Sequence, residues 1–497
     1  MSDPDFAAGI PEGDLVEGKP LLGKVGEDAV VLVRDGGQVH ALGAACTHYS
    51  GPLAEGRVFD GAIHCPWHHA CFDLETGRAH GPALAPIACY DVALTNGTIR
   101  VGKKRDIAVA DAGGPRRVVI VGGGAAGVAC AEALRAEGSS AEITILSGEG
   151  SDPVDRPNLS KDYLAGAAPE EWVYLRTTDG LRENKIELVA ASATAIDTKA
   201  RTVTANKTYS YDALLVATGA EPVRLPLEGA LLPHVHTLRT LGDSRAIAAA
   251  GEGKRVAIIG ASFIGLEVAA ALRARKAEVT VIGPETVPLA RVLGDEVGAF
   301  VKTVHEANGV TFRLGRKPAK IDAARVVLDD GSEVAADVVV MGVGVRPRLD
   351  LATAAGLSID RGVVVDGELR AAPGVWAAGD IARYPFGGEL VRVEHWQVAV
   401  RHGQLAARSM LGRGGSPDVP FFWSAHHDVT IGYVGHAEKF DKPDVHGDLS
   451  ARDAHVVYRD GGKIRAVATI GRDQLALDVE AALAHGDEAV LAKIVAG

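Results

Sequence analysis

Two runs, VVIVGGGAAGVACAEALRAEGSSAEITILSGE from Val118 and VAIIGASFIGLEVAAALRARKAEVTVIGPE from Val256, decide the architecture. Each reads as an apolar strand, a glycine turn, an Ala/Leu-rich helix and a second apolar strand. Strands this uniformly apolar are buried on both faces, as in a parallel sheet covered by crossover helices. Two such units in one chain predict two α/β, Rossmann-like nucleotide-binding domains.

The first turn carries Gly122, Gly124 and Gly127 directly after a strand and at the mouth of a helix. That context suits a pyrophosphate, because the glycines allow a tight turn and close approach while the helix N-terminus faces the negative charge. An acid closing the second strand should accept from an adenosine ribose, and Glu149 is the candidate, with Gly148 as the alternative occupant of that place. The second turn has Gly260 and Gly265, with Ser262 where the middle glycine is usual. Such a substitution would hold phosphates farther away. Glu285 ends its second strand, and the next five residues hold no Arg or Lys to receive a 2′-phosphate, which favours NADH over NADPH.

The remaining chain sets the outer domains. Residues 1–106 read as strands and turns, with hairpin signals at Gly36-Gly37 and Asn96-Gly97, and a charged, Gly/Pro-terminated linker follows. From about residue 416 come strand-like runs around Gly461-Gly462 and then a helical tail, which predict a small α+β domain. The middle divides as 116–235 and 351–415 for one nucleotide domain and 236–350 for the other. With 64 acidic and 52 basic residues the formal charge is -12, so neither nucleic acid nor an anionic membrane is an expected partner. No stretch reaches the ~20 apolar residues of a membrane span. The start of the chain lacks the basic and apolar regions of a signal peptide, and its five cysteines form no disulfide framework, so a cytoplasmic protein is expected.

Within the first hundred residues Cys46-Thr-His48 is followed, after sixteen residues, by Cys65-Pro-Trp-His68. Each arm offers one thiolate and one imidazole, which is what a Rieske [2Fe–2S] cluster asks for, with two Cys on one iron and two His on the other. Zinc accepts the same four ligands but usually pairs Cys with Cys and His with His. CTHYSGPLAEG and HCPWHHACFDLETG resemble the two cluster loops of Rieske ferredoxins. One departure is His69, where that family usually has glycine; its side chain should alter the loop backbone or the docking face. Cys71 and Cys89 lie outside the ligand pattern and read as small buried hydrophobes.

YDALLVATGAEP between the two nucleotide motifs and VWAAGDIA after them resemble the pyridine-nucleotide-dependent flavin reductases. RPNLSK and GASFIGLE bring the similarity closest to dioxygenase-type ferredoxin reductases and to Rieske-containing apoptosis-inducing-factor-like proteins. The resemblance implies FAD on the first glycine loop and the nicotinamide nucleotide, NADH or else NADPH, on the second. It implies that Thr218, Gly219, Gly379 and Asp380 line the FAD path, although an Asp beside Gly also serves as a helix cap. Arg156 and Lys161 would lie along the flavin, with Lys161 near its N5 and held by Glu267 as the catalytic pair. His395 and Trp396 would meet the ring from the other side, or Trp396 would simply pack at a domain interface. Trp423 is expected to pack first and to dock a partner second. Disulfide reductases of this architecture carry a cysteine pair where RPNLSK stands, so thiol–disulfide chemistry is not expected.

The implied activity passes electrons from nicotinamide to FAD, to the cluster, and then to a ferredoxin-like or oxygenase acceptor; the alternative is a slow redox sensor whose reduced state changes partner binding. Respiratory Rieske proteins place Ser and Tyr two and four residues after the second ligand histidine. Here Ala70 and Phe72 stand there, which implies a low-potential cluster.

Overall fold

The computed structural model describes residues 3–497. Its N-terminal part is all antiparallel strand: Leu21–Val25, Asp28–Asp35 and Gln38–Gly43 form one sheet, and Ile10–Pro11 pairs with Thr98–Lys104 and then Tyr90–Thr95 in another. A third, of four short strands from Arg57 to His80, displays the second cluster loop between Ala62–His64 and Cys71–Asp73. The Gly36-Gly37 and Asn96-Gly97 turns both have positive φ at their two central residues, as two-residue hairpins of primed type require.

A six-stranded sheet follows, in the order Ile186–Ala190, Glu142–Ser147, Arg117–Val121, Ala213–Val216, Val375–Ala377 and Arg370–Ala372, parallel except for its last pair. The segment between its fourth and fifth strands contains a second, all-parallel sheet of five: Val235–Thr237, Val338–Met341, Arg255–Ile259, Glu278–Gly283 and Thr311–Leu314. Each glycine turn leaves the C-terminal end of a central strand, where such sheets bind ligands. At Gly122 the backbone has φ 121° and an added Cβ would meet the Ala217 carbonyl oxygen at 2.1 Å, so no other residue fits. The helix it opens, Ala125–Ala136, crosses Trp396–Met410 so closely that a Cβ on Gly403 would lie 2.2 Å from the Ala126 carbonyl.

The last part is a five-stranded antiparallel sheet, from Phe421–His426 to Lys463–Ile470, with helices Asp473–His485 and Glu488–Ile494. Strand Phe421–His426 forms its edge and runs past both the first domain and the start of helix Phe263–Ala274. Among the described residues no helix is long and apolar enough to cross a membrane, and all five cysteines are unpaired.

Candidate functional site

One short segment, Asp155 to Lys161, joins the predicted sites. Its residues Arg156–Ser160 form a single 3₁₀ turn, with Pro157 fixing the backbone near the start. Arg156 forms a two-pronged ion pair with Glu149, Nη1 to Oε1 at 3.2 Å and Nη2 to Oε2 at 2.5 Å. It also donates to the Arg239 carbonyl. The Arg239 guanidinium in turn donates to Asp380 at 2.9 Å and lies 3.3 Å from where a Cβ on Gly219 would be. Glu149, Arg156, Arg239, Asp380 and Gly219 are therefore one connected set on the path from the first glycine loop. Arg239 was not among the sequence-predicted residues, because a lone arginine in HTLRT carries no spacing signal. Thr218 donates to the Arg348 carbonyl at 2.7 Å.

At its other end the segment meets Glu267, which is buried at 3% exposure. Lys161 Nζ donates to Glu267 Oε2 at 2.9 Å and the Ser160 hydroxyl to the same oxygen at 2.6 Å, while the Ser424 hydroxyl donates to Oε1 at 2.6 Å. A buried carboxylate is tolerated only with such partners. The predicted Lys161–Glu267 contact is thus present; Ser160 and Ser424 complete it.

At the second glycine loop the serine in place of the middle glycine is tied to the protein backbone. Ser262 caps the helix Phe263–Ala274, accepting from the Gly265 N–H at 3.4 Å and donating to the Gly342 carbonyl at 2.7 Å. Its hydroxyl is thereby turned into the protein, and Gly260, with φ 112°, abuts the same Gly342 carbonyl. Glu285 folds back over the strand end, its carboxylate 2.9 Å from where a Cβ on Gly283 would be. His395 stands just before helix Trp396–Met410 without a side-chain capping bond and packs on Phe422 at 4.5 Å, and Trp396, the first residue of that helix, keeps a buried indole N–H without a partner.

The two cluster loops are near copies. The Cys46 N–H donates to the Gly51 carbonyl at 2.9 Å and the Cys65 N–H to the Ala70 carbonyl at 2.8 Å. The amides of His48 and Tyr49 face the Cys46 sulfur, and those of Trp67 and His68 face the Cys65 sulfur. The two thiols are within hydrogen-bonding reach of each other, and the two histidine rings stand edge to face at 5.0 Å. Both ring nitrogens of His48 are buried without a hydrogen bond. A two-iron cluster asks for two thiolates on one iron and two imidazoles on the other. The donor set and the orphaned imidazole fit that cluster. Ala70 and Phe72 beside it are fully buried and offer no hydroxyl.

These loops press against the Asp155–Lys161 segment and the edge strand. Tyr49 donates to Asp155, and Asn158 donates to the Tyr49 oxygen. Burial, reinforced by the Asp155 carboxylate, pushes the Tyr49 phenol well above its ordinary range, so it remains a donor. His48 Nε2 lies 3.8 Å from Asp155 Oδ2. His68 packs against Trp423 with ring centroids 4.3 Å apart, and Lys161 Nζ stands 6.0 Å from that indole on its other contact. Trp423 packs, as its first reading has it, and what it packs against is the first domain of the same chain. Asp155, Asn158 and Trp423 lie more than a hundred residues from the groups they touch, and no local pattern announces such pairings.

Residues 116–403 match the family model described as pyridine nucleotide-disulphide oxidoreductase, more than half the chain. The chain belongs to that family. Residues 8–91 match the Rieske [2Fe–2S] domain. The chain is 32% identical to apoptosis-inducing factor 3 of Homo sapiens, over 95% of this chain and 83% of that protein. It is 38% identical to the ferredoxin–NAD(+) reductase component of the anthranilate 1,2-dioxygenase system of Burkholderia cepacia, over 71% of this chain and 91% of that one. Among solved structures, the covalent putidaredoxin reductase–putidaredoxin complex aligns with a TM-score of 0.72 at 32% identity, covering 77% of this chain and 98% of its own. The family is one of oxidoreductases, and its cofactors are FAD and a nicotinamide nucleotide, joined here by the [2Fe–2S] cluster of the Rieske domain. The first glycine loop fits FAD, through the close backbone approach at Gly122 and the open space beside Gly124, and the second repeats that close approach at Gly260, where a Cβ would lie 2.3 Å from the Gly342 carbonyl oxygen.

Proposed function

We propose that this chain is an NADH-dependent reductase that supplies its own Rieske domain with electrons, and through it a ferredoxin-like or oxygenase acceptor. FAD supplies the exchange between a two-electron hydride donor and one-electron acceptors, and the cluster is such an acceptor. In this reading 1–106 hold the cluster through Cys46, His48, Cys65 and His68; 116–235 and 351–415 hold FAD; 236–350 hold the nucleotide; and 416–497 supply the face on which 1–106 rest. Gly122, Gly124, Gly127 and Gly379 admit the FAD backbone, with Glu149, Arg156, Arg239 and Asp380 about its ribose and phosphates. Gly260, Gly265 and Glu285 receive NADH, whose 2′-hydroxyl can donate to Glu285 where a 2′-phosphate would be repelled. Lys161 places a fixed positive charge against the flavin ring, and Glu267 keeps its ammonium group in position. His395 and Trp396 close the opposite side.

The observation that carries the proposal is Trp423, in contact with the cluster ligand His68 at 4.3 Å and with Lys161 at 6.0 Å. A single aromatic side chain therefore spans the two halves. The test is anaerobic mixing with NADH followed by rapid freezing. A Rieske EPR signal should grow without any added carrier. If dithionite produced that signal and NADH only bleached the flavin, the internal relay would be rejected.

A further inference from the structure

His69 occupies a backbone position that disfavours any side chain. The two cluster loops place their fifth residues alike, Ser50 at φ 56° and His69 at φ 58°, both in the left-handed region where glycine is at ease. Ser50 is small and exposed, whereas His69 is a bulky ring at 1% exposure. A strained residue persists where its surroundings determine it, and here the groups that the side chain stacks on and bonds to, Phe421 and Glu480, belong to the other end of the chain.

The His69 ring stacks on Phe421 with centroids 3.7 Å apart and planes 12° from parallel. Its Nδ1 is hydrogen-bonded to Glu480 Oε2. Glu480 Oε1 accepts from Arg401 Nη1 at 2.6 Å, and Arg401 Nη2 donates to the His69 carbonyl at 3.0 Å, closing a ring of contacts. Glu480 and Arg401 are buried at 4% and 6% exposure. Burial alone would raise the Glu480 carboxyl, yet Arg401 and His69 hold it well below the usual carboxylate range. Phe421 and Trp423 are alternate residues of one strand and face the same way, so adjacent His69 and His68 lie on one aromatic each. Beside them Gln404 makes a double hydrogen bond with the backbone of Gly81, at 2.9 and 3.1 Å.

We propose that His69 is a latch: a positioning residue that seats the Rieske domain on the C-terminal sheet and so holds the cluster ligand His68 against Trp423. The face that the chain covers with its own domain is then closed to an outside carrier while the latch is engaged. The inference rests on the internal relay for its kinetic consequence, but the seating itself is independent of it.

His69→Gly tests this directly, since glycine suits φ near 58° and leaves the cluster loop relaxed. The holoprotein variant should keep wild-type iron and sulfide content and EPR line shape, and NADH should bleach its flavin at the wild-type rate. Transfer from flavin to cluster should slow roughly tenfold or more, as a small misplacement suffices for that. Solution scattering should give a larger radius of gyration, and the linker 107–115 should be cut faster by protease. Wild-type compactness with wild-type cluster reduction would overturn the proposal. Should the wild type itself fail to pass electrons to its cluster, expansion of His69→Gly would still support the latch, and unchanged compactness would refute it. If His69→Gly does not assemble, Glu480→Ala, outside the Rieske domain, carries the same test with the same readings.

Discussion

Glu267 accepts from Lys161, Ser160 and Ser424 at once, and the completeness of that set fixes what each substitution should do. Glu267→Gln preserves shape but leaves the Lys161 ammonium without its counter-charge. NADH should then bleach the flavin about ten to a hundredfold more slowly, by stopped-flow absorbance, because electrostatic support near the ring is lost. Ser424→Ala removes one donor and should cost only about 1 kcal/mol of stability, with a smaller kinetic effect. Equal rates in wild type and Glu267→Gln would remove the pair from the catalytic assignment. Lys161 and Glu267 were legible because each sits in a motif with a recognisable neighbourhood. Ser424 was not, since a serine after a tryptophan has many uses and only the fold brings it 157 residues back along the chain.

Among the elements, those whose chemistry is local were read correctly from the chain. The Gly-Gly and Asn-Gly hairpins follow from backbone freedom at the turn, and the two strand–turn–helix units from glycine spacing and apolar periodicity. Ser262 at the second glycine loop marks the limit of that locality, since its hydroxyl donates to the Gly342 carbonyl, which follows a distant strand. The Asp155–Lys161 segment was legible at Arg156 and Lys161 but not at Asp155 or Asn158, whose partner Tyr49 lies in another domain. Tyr49→Phe would leave Asp155, already with one unpartnered buried oxygen, short of its donor. An orphaned buried acceptor costs about 1–3 kcal/mol. The thermal midpoint should fall by several degrees while NADH bleaches the flavin at the wild-type rate; an unchanged midpoint would show that this contact contributes little to seating the loops.

Across the whole molecule the buried histidines set the response to acid. Burial pushes His305 down to about 2 and His395, His402 and His426 to about 3. In the unfolded chain the same groups take up protons near 6.5. Below that value the unfolded state binds more protons than the folded one, so stability is full above about pH 6.5 and falls as pH drops toward 3, by up to about 1.4 kcal/mol per group and pH unit. Thermal midpoints should be level between pH 7 and 8 and decline steeply from 6.5 to 5. A flat profile across that range would contradict neutral burial of these rings.

The Asp155–Lys161 turn also bears on how freely the first domain could be exchanged. One end of it answers to Lys161 and Glu267, the other to Tyr49 and His48, with only a few residues between. A foreign Rieske module grafted ahead of residue 116 would have to bring a hydroxylated aromatic directly after its first histidine ligand, and a second ring able to sit in a left-handed turn after the other. Modules with glycine there would assemble their own clusters yet find no grip. The chain is built as a matched set rather than as interchangeable cartridges.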